Sequence, residues 1–391
     1  MKEMVAAYQS ARPDVDVRPL TLSWGSPYYT KLSLASLGGE PPSVAIAHIS
    51  RLPTLARAGL VRELTTPMLA PAHLTADRFN ARPWERAHID GRLYGLPLDT
   101  HPFVMYYRTD LCRKAGLLDG DGRLKPIEGP QALIGVLAAL RKVTGAWGGV
   151  MSVTADPSTC WRMFWSLYRQ LDPTPAGEAF LADGGTRITM DDRRAEEALQ
   201  FMHRLTTTEK VLPPSVDSTG AIALFTSGKA GVLFDGVWQL PNIQGSKVPF
   251  DMAPLPRVFT DAPYACHADS HLLVLPSGGH STPAHDGVCL DFARGLIERS
   301  LVWAGGGHIP SWRPTLESRA YRDLTPQAHY AAAAAGAVYD PDAWYSGAGS
   351  SLETRLGGII AGVLTGSSAP RAATHRLRSA LTDLTNTPAP V

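Results

Sequence analysis

No stretch of the 391 residues is apolar for the ~20 positions that a membrane-spanning helix needs, so no such helix is expected. Charge of one sign is lacking too: Lys+Arg total 37 and Asp+Glu 36, so no global field points to nucleic acid or an anionic membrane as a partner. Cysteine is scarce, and Cys112, Cys160, Cys266 and Cys289 lie far apart without a C-x-x-C pair. That excludes a zinc ribbon and gives no disulfide framework; one bridge and four inert thiols both stay open. The catalytic signatures are missing as well. There is no G-x-S-x-G elbow, no H-E-x-x-H and no G-x-G-x-x-G after a strand, and Gly228-Lys229 is followed by Ala230, not by the Ser or Thr of a phosphate loop. Asp191-Asp192 and Glu196-Glu197 sit at the start of a helical stretch, where carboxylates are solvated and favoured by the dipole.

What is present is size, turns and indoles. A chain this long exceeds one ordinary core, so two lobes are the default. Nine Trp and twelve Tyr, several in Gly/Pro-rich polar segments, offer flat stacking surfaces. Periodicity predicts a helix over residues 4–10, a strand over 15–20 from its alternation, a helix over 28–36 and a short buried strand over 43–47. Ser50 reads as the N-cap of the next helix. Alternating strands and helices mark an α/β lobe. Further amphipathic helices are predicted over 131–143, 158–170 and 193–207, and residues 385–391 as a frayed tail. The opening MKEMVAAYQSARPDVDV has no basic region, apolar block or cleavage site of a signal peptide, and reads as a helix starting in mid-fold.

The rest is organised around residues 90–117, DGRLYGLPLDTHPFVMYYRTDLCRKAGL. A tight turn at Asp90-Gly91 leads to a short strand ending at Gly95-Leu96-Pro97. The polar insert Asp99-Thr100-His101 is predicted as a loop, followed by the strand FVMYY and a helix. Such a loop belongs at the mouth of a cleft, where ligands meet α/β sheets.

In order along the chain stand YYTKLSLASLGGEPPSVAIAH, LARAGLVREL, the 90–117 stretch, ALFTSGKAGVLFDGVWQLPNI, MAPLPR, LLVLP and AGGGHIPSW. Together these resemble the extracellular solute-binding proteins of ABC sugar importers, the maltose-binding-protein-like group. The resemblance covers nearly the whole chain and implies a two-lobed periplasmic-binding-protein-like fold with a hinge and an interlobe cleft. It implies one lobe from residues 1–108 with 258–306 and a second from 109–257 with 307–391. It also implies an upstream strand and a signal peptide, often of the lipoprotein kind, both expected to be missing here.

The implied function is binding of a di- or oligosaccharide in the cleft and delivery to ABC permease subunits served by a separate ATPase. The chain would act as a monomer, in the periplasm or on the extracellular face of the membrane, with no cofactor and no catalysis. A sugar offers C–H faces to aromatic planes and a hydroxyl rim to polar groups. Trp238, after Phe234-Asp235-Gly236, stands where the family commonly stacks an aromatic on sugar; Trp165 and Trp344 are further candidates. The resemblance implies three crossings between lobes, near residues 107–110, 253–259 and 305–312, and at least one of Trp303 and Trp312, which flank the third, is expected to face the cleft. The polar rim is assigned to His48, Ser50, Arg51, Asp99, His101, Asp235, Asp269, His271 and His308. Asp99→Ala is expected to weaken sugar binding and leave the unliganded melt nearly unchanged.

Three metal-like patterns are weighed and none is assigned. His267, Asp269 and His271 alternate and would share one strand face, but no fourth ligand is placed by sequence. Asp119-Gly120-Asp121-Gly122 is half a calcium loop without its closing Glu and reads as a solvent turn. His308 follows three glycines as a cleft residue or a loop cap. Two rivals stand beside the sugar reading: a binder of a non-sugar solute in the same fold, and a glycan-processing enzyme, which would need two carboxylates about 5–9.5 Å apart.

Overall fold

Periodicity in the sequence becomes alternating helices and strands in a computed structural model that describes residues 1–173, 180–279 and 281–389. Helices α1 (Lys2–Ala11) and α2 (Ser26–Leu37) precede strand β1 (Ala45–His48). After β2 (Leu96–Pro97) comes the longest strand, β3 (Asp99–Arg108), and then α3 (Pro130–Thr144), β4 (Trp147–Val150), α4 (Ser158–Gln170) and α5 (Asp192–Thr207). Strands β5 (Ala230–Gly236), β6 (Phe250–Pro254), β7 (Cys266–Asp269) and β8 (His271–Val274) lead to α6 (Pro283–Glu298). The chain closes with β9 (Ile309–Pro310), β10 (Ala337–Val338), α7 (Ser351–Leu364) and α8 (Pro370–Thr385). Of the expected tail, residues 390 and 391 lie outside the described residues.

Helix α3 shows why these residues fold as they do. Leu133, Ile134, Leu137 and Leu140 fall on one buried face, Pro130 opens the helix, and Gly145 ends it in the left-handed region at φ 66°, its N–H on the Arg141 carbonyl. Each such aliphatic side chain contributes roughly 1.5–3 kcal/mol by leaving water.

Two sheets result. A three-stranded one runs β1–β8–β2, both pairings antiparallel. A seven-stranded mixed sheet runs β10–β7–β3–β5–β4, with β6 and β9 also pairing with β3. Strand β3 is buried along its whole length. Its alternation sends Phe103, Met105 and Tyr107 into one core and Val104 and Tyr106 into another. A third core, from residues 4–98 and 272–297 with Trp312, wraps the small sheet.

Four local expectations are corrected. Residues 15–20 form no strand: they have no ladder partner, and Leu20 is exposed. The insert Asp99-Thr100-His101 is not a loop; it begins β3, because β9 and β7 supply backbone partners to Asp99, Thr100 and His101. Ser50 caps no helix, because its hydroxyl donates to Asp269 instead. His267, Asp269 and His271 do not share one strand face. The run breaks at Ser270 between β7 and β8, so His267 meets Asp340, Asp269 meets Ser50 and His271 meets Asp99. The Asp119 turn is as expected, its carboxylate accepting from the Asp121 and Arg123 amides. All four cysteines are free and buried.

Candidate functional site

Strand register builds the centre of the molecule. His48 on β1 lies opposite His271 on β8, and His101 on β3 lies opposite Asp269 on β7. Thr100 pairs with Ile309, which brings His308 alongside. Five of the sequence's rim candidates therefore meet with Asp99 where the two sheets adjoin. All are nine-tenths or more buried.

Asp99 is the hub. Its Oδ1 accepts from His101 Nδ1 (3.0 Å) and the His271 backbone N–H (2.8 Å); its Oδ2 accepts from His271 Nδ1 (2.7 Å) and Trp303 Nε1 (2.5 Å). His308 Nε2 stands 3.8 Å from Oδ2. Burial pushes this carboxyl up, but His271, His308 and His101 outweigh it and hold Asp99 well below the usual carboxylate range. Burial does the opposite to the imidazoles. It drives His48 well below its ordinary value, lowers His101, and takes His308 to about 3, with neighbouring histidines adding to the effect. A hub that satisfies four donors carries structural weight, so Asp99→Ala is now expected to cost stability in the unliganded chain rather than to leave its melt unchanged.

Around this centre stand indoles. Trp24, 47% exposed, lies 4.5 Å from the His48 ring and 5.3 Å from His271. Trp238 meets His101 edge-on at 5.9 Å and carries the Arg162 guanidinium 5.0 Å above its ring. Gly236 has to lack a side chain, since a Cβ there would sit 2.0 Å from the Trp238 ring. Of the two indoles at the third expected crossing, Trp303 joins the site through Asp99, and Trp312 packs on Phe79 in a core.

The other candidates fall as follows. Ser50 Oγ donates to Asp269 (2.5 Å) and accepts from the Ala348 amide (3.1 Å), and Arg51 donates to the Ser346 carbonyl (3.2 Å). Asp235 lies next to the end of β5, its Oδ1 accepting from the Gly236 amide, and burial raises it to about 6. Trp165 is buried in a stack with Trp161 and Tyr168, its indole N–H on the Tyr339 carbonyl. Trp344 is half-buried and meets Tyr345 edge-on. Neither of the last two is joined to the histidine centre by a ring contact. Trp24, Tyr29, which bonds His48 Nδ1 through its hydroxyl at 2.8 Å, and Arg162 are missed by the sequence reading. The aromatic run W-G-S-P-Y-Y was the available signal for the first two.

The lobes meet here. Ser50 and Arg51 hold the 346–348 loop, Arg57 makes paired bonds to Asp342 (3.0 and 3.1 Å), and Arg82 and Arg86 donate to the Ala337 and Asp340 carbonyls. Gly347, at φ 95°, makes this approach possible: a Cβ would lie 2.6 Å from the Ser50 carbonyl oxygen. A cavity of about 320 Å³ lies elsewhere, lined by Tyr107, Lys125, Glu128, Met252, Arg257 and His329, without any of the central histidines.

Two α/β lobes closing on a polar centre flanked by indoles are the layout of a solute-binding protein. The chain belongs to the bacterial extracellular solute-binding protein family, whose profile it matches over residues 1–284. It is 23% identical over 242 residues to the maltodextrin-binding protein MdxE of Bacillus subtilis (strain 168). That alignment covers 60% of this chain and 52% of the relative, so the chain spans about half the length of the curated protein it matches. Among solved structures it is similar to the sugar-binding protein MalE of Xanthomonas citri (TM-score 0.80, 18% identity, covering 98% of this chain and 93% of that one). It is also similar to the GacH receptor of Streptomyces glaucescens, solved unliganded and with acarbose (TM-score 0.78, 18% identity, 98% and 94% covered). At these identities the structures show a shared fold. No described helix is long and apolar enough to cross a membrane.

Proposed function

We propose that the chain binds a di- or oligosaccharide between its lobes and delivers it to an ABC permease driven by a separate ATPase. It would act as a monomer on the extracellular side of the membrane. The observation that carries this reading is the pairing of chemistries at the junction. The indoles of Trp24 and Trp238 flank a centre of imidazoles and carboxylates, matching the apolar faces and hydroxyl rim of a pyranose. We assign the rim to His48, Arg51 and Asp235 around the Asp99–His101–His271 floor. Entry requires the lobes to part, breaking the Ser50 and Arg51 contacts to residues 346–348. Ligand that touches both lobes then favours the closed form by its differential affinity. The MdxE alignment supports a maltodextrin as the first sugar to try.

A thermal-shift screen of the full chain against maltodextrins and other saccharides, in EDTA, tests the reading. A ligand at 100 times its Kd should stabilise the fold by ~2.7 kcal/mol. No shift with any saccharide, from protein that melts cooperatively, would sink the sugar assignment.

A further inference from the structure

Beyond the place of Asp99, His101 and His271 in the floor of the proposed sugar site, Asp99 and the three imidazoles nearest it form a compact donor set. Asp99 and His101 are two apart on β3 and share its face; His271 opens β8, and His308 immediately precedes β9. Their ligating atoms all lie within 4.8 Å of one another. From the Asp99 carboxylate the nearest imidazole nitrogens stand at 3.0 Å (His101 Nδ1), 2.7 Å (His271 Nδ1) and 3.8 Å (His308 Nε2). A tetrahedral ion with bonds of about 2.0–2.1 Å has donor-to-donor edges of roughly 3.3–3.4 Å, inside that span.

Charge and supporting contacts point the same way. Asp99 has no exposed surface, and among the described residues its ion partners are histidines only, with no Lys or Arg. A second grouping, His267 with Asp340 and Glu353, has a cation of its own in Arg162, 3.4 Å from Glu353. In the third, Asp269 is occupied by Ser50 and by the Ser270 amide. The Asp99 set alone pairs a buried carboxylate with three imidazoles and no permanent cation. Its carboxylate is also held from outside by Trp303 Nε1 on Oδ2, while Ser270 Oγ donates to the Asp99 backbone carbonyl and fixes the strand there. Such outer contacts orient metal ligands.

We propose that Asp99, His101, His271 and His308 bind one divalent transition-metal ion of the class that favours imidazole, with Zn²⁺ as its representative. The ion takes the place of the two imidazole protons that now face the carboxylate. His101 and His271 each lose the Nδ1 proton and regain one at Nε2, so no net proton is released. Because His271 belongs to the small sheet and the other three ligands to β3 and the approach to β9, the ion ties the two sheets together. It therefore stabilises the fold independently of any sugar.

The test uses the untagged full chain, stripped with EDTA and returned to chelator-free buffer without sugar. ZnCl₂ is followed by calorimetry and melting, and CoCl₂ by visible absorption. One saturable equivalent, a raised Tm and the intense visible bands of tetrahedral Co²⁺ are expected. His271→Ala and His308→Gln should each weaken binding at least about 100-fold, while His73→Ala, at an exposed remote imidazole, should not. Absence of saturable binding to folded protein would overturn the proposal, as would affinity unchanged in both ligand variants. If neither variant folds, the Co²⁺ titration of the unaltered chain decides: a weak octahedral spectrum, or none, refutes the site.

Discussion

The Asp99 carboxylate is fully buried and accepts from His101, His271 twice and Trp303. Removing it strands several buried donors at once, which typically costs ~3–5 kcal/mol. Asp99→Ala should therefore lower the urea midpoint of the unliganded chain by several kcal/mol equivalent; a midpoint within 1 kcal/mol or so of the parent would return Asp99 to a purely ligand-facing role. Glu353 gives a pH prediction. Burial raises it to about 7 from its ordinary 4.5, against the pull of Arg162. A carboxyl raised in the folded state binds its proton more tightly there than in the unfolded chain. Its contribution is therefore intact below the unfolded pKa and lost as pH rises through about 7. Glu353→Gln should flatten that part of the stability-against-pH curve, and an unchanged slope would count against it.

Among elements, those governed by local periodicity were legible in the sequence. The apolar face of α3, and the stretches that became α4 and α5, needed only helical spacing. Alternation misled where partners decide. Residues 15–20 alternate but lack a neighbouring strand, and Asp99-Thr100-His101 looked like a loop because polar residues are expected outside. The rim candidates were chosen one at a time, and five of them with Asp99 do converge. What placed them together was the pairing of His48 with His271 and of His101 with Asp269, which no spacing along the chain encodes. Trp303 is one of the two indoles expected for the cleft at the third crossing, but its bond to Asp99 spans 204 positions, a pairing no local pattern encodes. The 346–348 loop held by Ser50 and Arg51 turns on Gly347. Gly347→Ala adds a Cβ at a left-handed φ and against the Ser50 carbonyl, so the mutant should lose ~1–3 kcal/mol and bind ligand more weakly. Unchanged affinity and melting would show that the 346–348 loop is not part of closure.

At the scale of the molecule, the core around the small sheet meets the two cores sharing β3 through polar bonds from Ser50, Arg51, Arg57, Arg82 and Arg86. Those between Arg57 and Asp342 are half exposed and are worth ~1 kcal/mol or less. Closure is therefore expected to depend on what occupies the junction, which is the mechanical requirement of a binding protein that must open, capture and release. Chemistry at the junction and the family to which the chain belongs converge on solute capture, and the flanking indoles are the reason a sugar is the solute proposed.

Isothermal titration of maltotriose into the unaltered chain and into Trp24→Ala and Trp238→Ala, each checked for an intact melt, examines this most directly. The expected result is 1:1 binding that falls roughly 10-fold or more, about 1.4 kcal/mol, when either indole is removed. Binding indifferent to both substitutions, or no binding of any maltodextrin by the folded chain, would contradict it.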